Sequence, residues 1–190
     1  MAGDIIDGLV SESMGGLSLL ESEILPSLVL AAEEVPAMAA RICAHPDHTS
    51  YHLLFALRRL AGEGYARLPA AVRAQVLCGA LGHVSFLNDW GYLEPGESYD
   101  GEAAVALLES GKAALDCLRP ILGERRPAPL FGSEAAALSS LYAYRRCDFA
   151  CRYVALLLGL APTFDSHPER RNVEIERLID RASGQTGTPG

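Results

Sequence analysis

"GSEAAALSSLYAYRRCDFACRYVALLLG", residues 132–159, decides the fold class of this chain. Ser133 is a good helix N-cap, Gly159 and Pro162 are stop signals, and neither glycine nor proline interrupts the residues between. The stretch predicts one long helix from Ser133 to about Leu158. Tyr142, Tyr144, Cys147, Phe149, Cys151, Tyr153, Val154 and Leu156 spread apolar surface over most of its circumference, which marks a helix central to its domain. At 100° per residue, Arg145, Asp148 and Arg152 share a strip about 60° wide, with Asp148 three residues after one arginine and four before the other. Guanidinium groups on such a helix must reach water, a carboxylate or an aromatic face. Two readings follow: an ion-pair ladder along the one solvated strip, or an Arg-lined recess for a carboxylate, a phosphate or an acidic side chain.

The rest of the chain reads the same way. Residues 1–22 hold Gly3, Gly8, Gly15 and Gly16, so they predict a weak helix at best, an arm that is flexible or docks on the domain. Pro26 and Pro36 punctuate an Ala/Leu/Glu-rich stretch. Asp47 caps a helix from His48 to about Leu60, and Pro69 opens one that runs to about Trp90. Gly111 divides residues 102–122 into two helices, and Pro168 begins an amphipathic helix ending near Ala182. The tail from residue 184 to 190 is expected to be disordered. No stretch sustains strand-like alternation. The expectation is an all-α domain over residues 23–183, a bundle or short irregular stack of helical hairpins with about six to eight helices.

Composition limits the function classes. A chain of 190 residues with 49% apolar content can bury a real core, and it suits a single domain. A net charge of −8 argues against nucleic acid or an anionic membrane as the main partner. The cations are fifteen arginines and Lys112, which makes them forks rather than point charges. Five cysteines, an odd number with no CxxC spacing, predict free thiols buried as small hydrophobes in a reducing cytoplasm. The N-terminus does not read as a signal peptide, and the longest apolar run is too short to span a bilayer.

"GEAAVALLESGKAALDCLRPILGE", Gly101 to Glu124, places small residues and leucines at helical spacing around a glycine turn. It resembles a HEAT-type helical hairpin over about an eighth of the chain. The resemblance implies a solenoid-like stack that serves protein contacts.

Candidate chemistry is sparse. "HVSFLNDWGYLEP", His83 to Pro95, ends a helix at Asp89 and Trp90, the only tryptophan, and such an end can form a pocket rim. His83 shares a face with apolar residues and reads as a satisfied core histidine. His48 and His52 share a helical face but lack a third ligand and the glutamate of HExxH, so no metal or cofactor is expected. Arg125 and Arg126, in the loop "ERRPAPLFG" (124–132), precede a helix start that could hold an anion or could pin Leu130 and Phe131 as a connector. No nucleophile or phosphate motif is present. The leading expectation is therefore a non-enzymatic protein-interaction domain: an adaptor, an immunity-type neutraliser or an assembly subunit. Its expected partner is a protein, a second copy of the chain included. The alternative is a small-molecule enzyme or binder with an Arg-lined anion pocket between Trp90, the 124–132 loop and the 133–158 helix. Its candidate residues are Asp89, Trp90, Arg125, Arg126, Arg145, Arg146, Asp148 and Arg152.

Overall fold

Helices account for nearly all the regular structure of this chain, because leucine and alanine repeat at helical spacing and strand formers are scarce. The computed structural model describes residues 2–83, 87–94 and 101–184. Phe86, the turn-rich stretch 95–100 and the last six residues of the tail lie outside them. Eleven α-helices occur among the described residues: α1 (Ala2–Gly15), α2 (Glu34–Ala44), α3 (Tyr51–Leu60), α4 (Gly62–Arg67), α5 (Ala70–Leu81), α6 (Leu87–Trp90), α7 (Glu102–Glu109), α8 (Lys112–Leu122), α9 (Ser133–Tyr142), α10 (Arg146–Leu157) and α11 (Pro168–Gly184). The only β-type pairing among them is an isolated bridge between Pro127 and Arg145.

The count exceeds the expected six to eight because stretches that read as continuous helices are broken. The expected helix to Trp90 divides into α5 and α6. The expected helix over 133–158 stops at Tyr142 and restarts at Arg146. Ala143 is left-handed there (φ 49°, ψ 58°), and its N–H still reaches the Ser139 carbonyl at 2.8 Å. A left-handed alanine is costly for an L-residue, so tertiary contacts must hold it. The weak helix expected near the N-terminus is a full one, α1, which packs on α3.

The helices stack in sequence. α1 and α2 cover α3 at one end; α5 lies against α3, α7 and α8; α8 sits between α5 and α10; and α11 closes the other end on α10 and α8. Tyr51, Phe55, Trp90, Tyr144, Phe149 and Tyr153 are fully buried in the continuous core. At Gly101 the chain passes so close to the Asn88 and Asp89 carbonyls that a Cβ would collide with backbone.

Two expectations fail inside this stack. Cys78 and Cys117 form a disulfide joining α5 to α8, with Cα atoms 5.9 Å apart, so only Cys43, Cys147 and Cys151 are free thiols. Linear spacing could not show that α5 and α8 pack face to face. His83 is exposed and stacks on His48 with ring centroids 4.4 Å apart, because the helix expected to carry it inward ends at Leu81. The core histidine is His52: Ser18 O lies 3.1 Å from Nε2, and the Ser13 hydroxyl lies 2.9 Å from Nδ1. Burial lowers its pKa and keeps the ring neutral.

Candidate functional site: the arginine–carboxylate centre of α10 and α11

The break at Ala143 makes Arg145 the N-cap of α10 and puts Asp148 at its third position. Asp148 reaches back to accept the Arg145 N–H at 2.9 Å, the carboxylate half of a capping box. Its oxygens also accept the Arg145 Nε and Nη2 at 3.2 and 2.8 Å, a bidentate fork. Arg145 goes on to Asn172 Oδ1 at 2.8 Å and Pro168 O at 3.2 Å, which ties α10 to the start of α11.

Arg171 supplies the second guanidinium, 3.1 Å from Asp148 Oδ2. It donates to the carbonyls of Asp165, Ser166, Tyr142 and Ala143, and its charge lies 4.6 Å over the Phe164 ring. Tyr142 and Ala143 are the carbonyls that the end of α9 leaves without a helical partner, so Arg171 secures the break. The side chains of Asp148, Arg171 and Arg145 are 0%, 4% and 10% exposed. The expected ladder is thus corrected at its second arginine. Arg152 is half-buried on α10, and Arg171, twenty-three residues from Asp148, stands where Arg152 was expected.

The other candidate residues are dispersed. Arg125 donates to Leu122 O at 2.7 Å, while Arg126 and Arg146 both meet Glu124, at 2.7 and 3.3 Å. The first amides of α10 are used as well: Arg146 N–H reaches Arg126 O and Cys147 N–H reaches Glu124 O, at 3.3 and 3.2 Å. Loop 124–132 therefore satisfies the first amides of α10. Trp90 is fully buried between Tyr51 and Tyr153, and its carbonyl accepts the Tyr153 hydroxyl. With no exposed surface it offers no pocket rim. Tyr153 also projects from the side of α10 away from Asp148 and Cys151.

A cavity of about 250 Å³ instead opens between α10, the segment before α11, and α11. Asp148 and Cys151 form part of its wall with Phe164, Arg171, Val173 and Arg177. Burial pushes the Cys151 thiol up to about 12, so it is not a thiolate nucleophile at neutral pH. Sequence reasoning missed Arg171 and Phe164; the Arg170–Arg171 doublet opening an amphipathic helix was the available signal.

No family model, curated protein or solved structure matches this chain. The functional reading therefore rests on its own residues.

Asp89, also a candidate, belongs to the clasp that holds the N-terminal segment. It accepts the Leu19 N–H at 2.9 Å and the Tyr51 hydroxyl at 3.4 Å. Burial pushes its carboxyl up to about 6, against the opposing pull of those two donors. Near pH 3 the group is neutral in both the folded and unfolded chains. Between about pH 4 and 6 the unfolded chain has released the proton and the folded chain retains it. This group alone therefore lowers stability by about 3 kcal/mol as pH rises through that window. Asp89→Asn should flatten that decline in urea melts at pH 4 and pH 7, and an unchanged difference would place the charge elsewhere.

Proposed function

We propose that this chain is a non-enzymatic protein-binding helical domain, an adaptor, neutraliser or assembly subunit, which meets a basic partner through the α1–α2 end of its stack. The observation that carries this reading is a charge imbalance beside exposed apolar surface. The first 40 residues hold seven carboxylates and no lysine or arginine, and Arg41, in the last turn of α2, is the one guanidinium on α1 and α2. Asp4, Asp7, Glu21, Glu23 and Glu33 are exposed there, and so are Met14, Leu20 and Val29, at 71%, 67% and 83%. Exposed apolar side chains in a segment whose exposed charges are nearly all of one sign suit a complementary cationic protein surface. The stacked helices and the HEAT-like hairpin support the same use.

The chemical groups support a non-enzymatic role. Arg125, Arg126, Arg145 and Arg146 are engaged by carbonyls and carboxylates of the chain itself. Ser13 and His52 contact each other, and both His52 ring nitrogens are held by the chain itself, Nδ1 at the Ser13 hydroxyl and Nε2 at the Ser18 carbonyl. Among the described residues no helix is long and apolar enough to cross a membrane. A cytoplasmic site of action belongs to this proposal. The Cys78–Cys117 bond weighs against it, because reducing compartments seldom leave such a bond closed.

The test is affinity capture from the native host with the full chain and with a Glu21→Lys/Glu23→Lys/Glu33→Lys variant. A partner held by the first, released by moderate salt and lost from the second supports the reading. Capture indifferent to the reversal, with a Glu169→Lys/Glu176→Lys control behaving identically, overturns the assigned face.

A further inference from the structure

We propose that the cavity between α10 and α11 binds a small organic carboxylate: one carboxylate oxygen on the Arg171 Nε–H, and an apolar body against Phe164 and Val173. This site is independent of the α1–α2 face and would stand if that reading failed. Three observations converge on it. The first is charge. The lining holds three guanidinium groups and three carboxylates, but Arg170 and Arg177 pair with Asp165 and Glu174 at the exposed side, while the one buried carboxylate, Asp148, is shared by Arg171 and by Arg145 behind it. The excess cation sits on the buried side, because Asp148 lies between two guanidinium groups that are themselves nearly buried. A desolvated cation without a full counter-charge favours an anion.

The second observation is an unused donor. The Nη groups of Arg171 are engaged by four carbonyls, yet its Nε–H is buried with no acceptor, and the side chain lines the cavity at 4% exposure. A guanidinium N–H left without an acceptor costs free energy that a carboxylate oxygen would recover. The third is the wall. Phe164 and Val173 supply apolar surface beside that donor, while Arg170 and Arg177 stand at the mouth, each 72% exposed and 3.5 Å from a carboxylate. Those exposed pairs are weak and can turn to an incoming anion. A volume of about 250 Å³ fits a compound of benzoate size rather than a nucleotide.

The experiment is a titration of the full, disulfide-intact chain followed through its arginine Nε–H resonances, with that of Arg171 assigned by through-bond correlation. Benzoate is the probe; benzamide, benzylammonium and inorganic phosphate are the controls. Benzoate is expected to shift the Arg171 Nε–H saturably, and the three controls are expected to leave it in place. Because Arg170 and Arg177 are exposed, Arg170→Ala/Arg177→Ala should fold normally and bind benzoate about tenfold more weakly. Phe164→Leu, which keeps the cavity apolar, should lose a few-fold through its smaller stacking surface. A resonance unmoved by benzoate overturns the proposal. So does one moved equally by benzamide, which would show that charge is not read, or by phosphate, which would show that the apolar wall is not used. Unchanged benzoate affinity in the double arginine variant places the anion elsewhere and overturns it too.

Discussion

Asp148→Ala lowers the unfolding free energy by about 4 kcal/mol, within the 3–5 kcal/mol range for breaking a buried ion pair, and lowers Tm by roughly 10 °C. The size follows from what the carboxylate leaves behind. Arg145 loses its bidentate partner and Arg171 its nearest counter-ion, and neither side chain has appreciable access to water. The N-cap amide of Arg145 loses its acceptor as well. Asp148→Asn keeps the shape and one acceptor but removes the charge, so it should recover only part of the loss. Arg171→Ala costs less than Asp148→Ala, since Arg145 still neutralises the carboxylate. The double variant falls well short of the sum of the singles, as residues sharing one network do. Urea melts of the two singles and the double measure this; additive losses below about 0.5 kcal/mol would place the three charges in open water.

Opening the Cys78–Cys117 bond is the second large effect. The two cysteines are 39 residues apart in sequence, and chain entropy assigns a loop of that length about 4 kcal/mol of stabilisation. Cys78→Ser/Cys117→Ser, or prior reduction with a dithiol, should lower Tm by roughly 8–15 °C with the helical spectrum retained. The chain denatured without reductant should titrate three thiols, from Cys43, Cys147 and Cys151, and five after reduction. Five thiols in the unreduced chain would show that the bond does not form and would restore the reading of a reducing compartment.

The fates of these two features show what was legible in the sequence. The pairing of Arg145 with Asp148 is local, three residues along one backbone, so spacing alone found it. Helix type and many boundaries were legible for the same reason. Asp47 accepts the Thr49 N–H as an N-cap should, Gly111 divides α7 from α8, and Pro168 opens α11. Capping and punctuation act over a few residues. The break at Ala143 was not legible, because no local rule puts an alanine in the left-handed region. Arg171 and the 124–132 loop hold that turn from outside.

The candidate site divides along the same line. Arg145 and Asp148 were found by periodicity, while Arg125, Arg126, Arg146 and Trp90 were grouped by chemistry that the fold disperses. Arg171 and Phe164 went unnoticed, since neither is near Asp148 in the chain. By itself the sequence determined an acidic, all-helical chain, its main punctuation and its lack of known catalytic motifs. These depend on composition and on interactions a few residues long. Only the tertiary structure decided which arginine shares Asp148, that Cys78 meets Cys117, and that a cavity opens beside α11. Each of these depends on which helix faces come together, and that is set by the packing of the whole core.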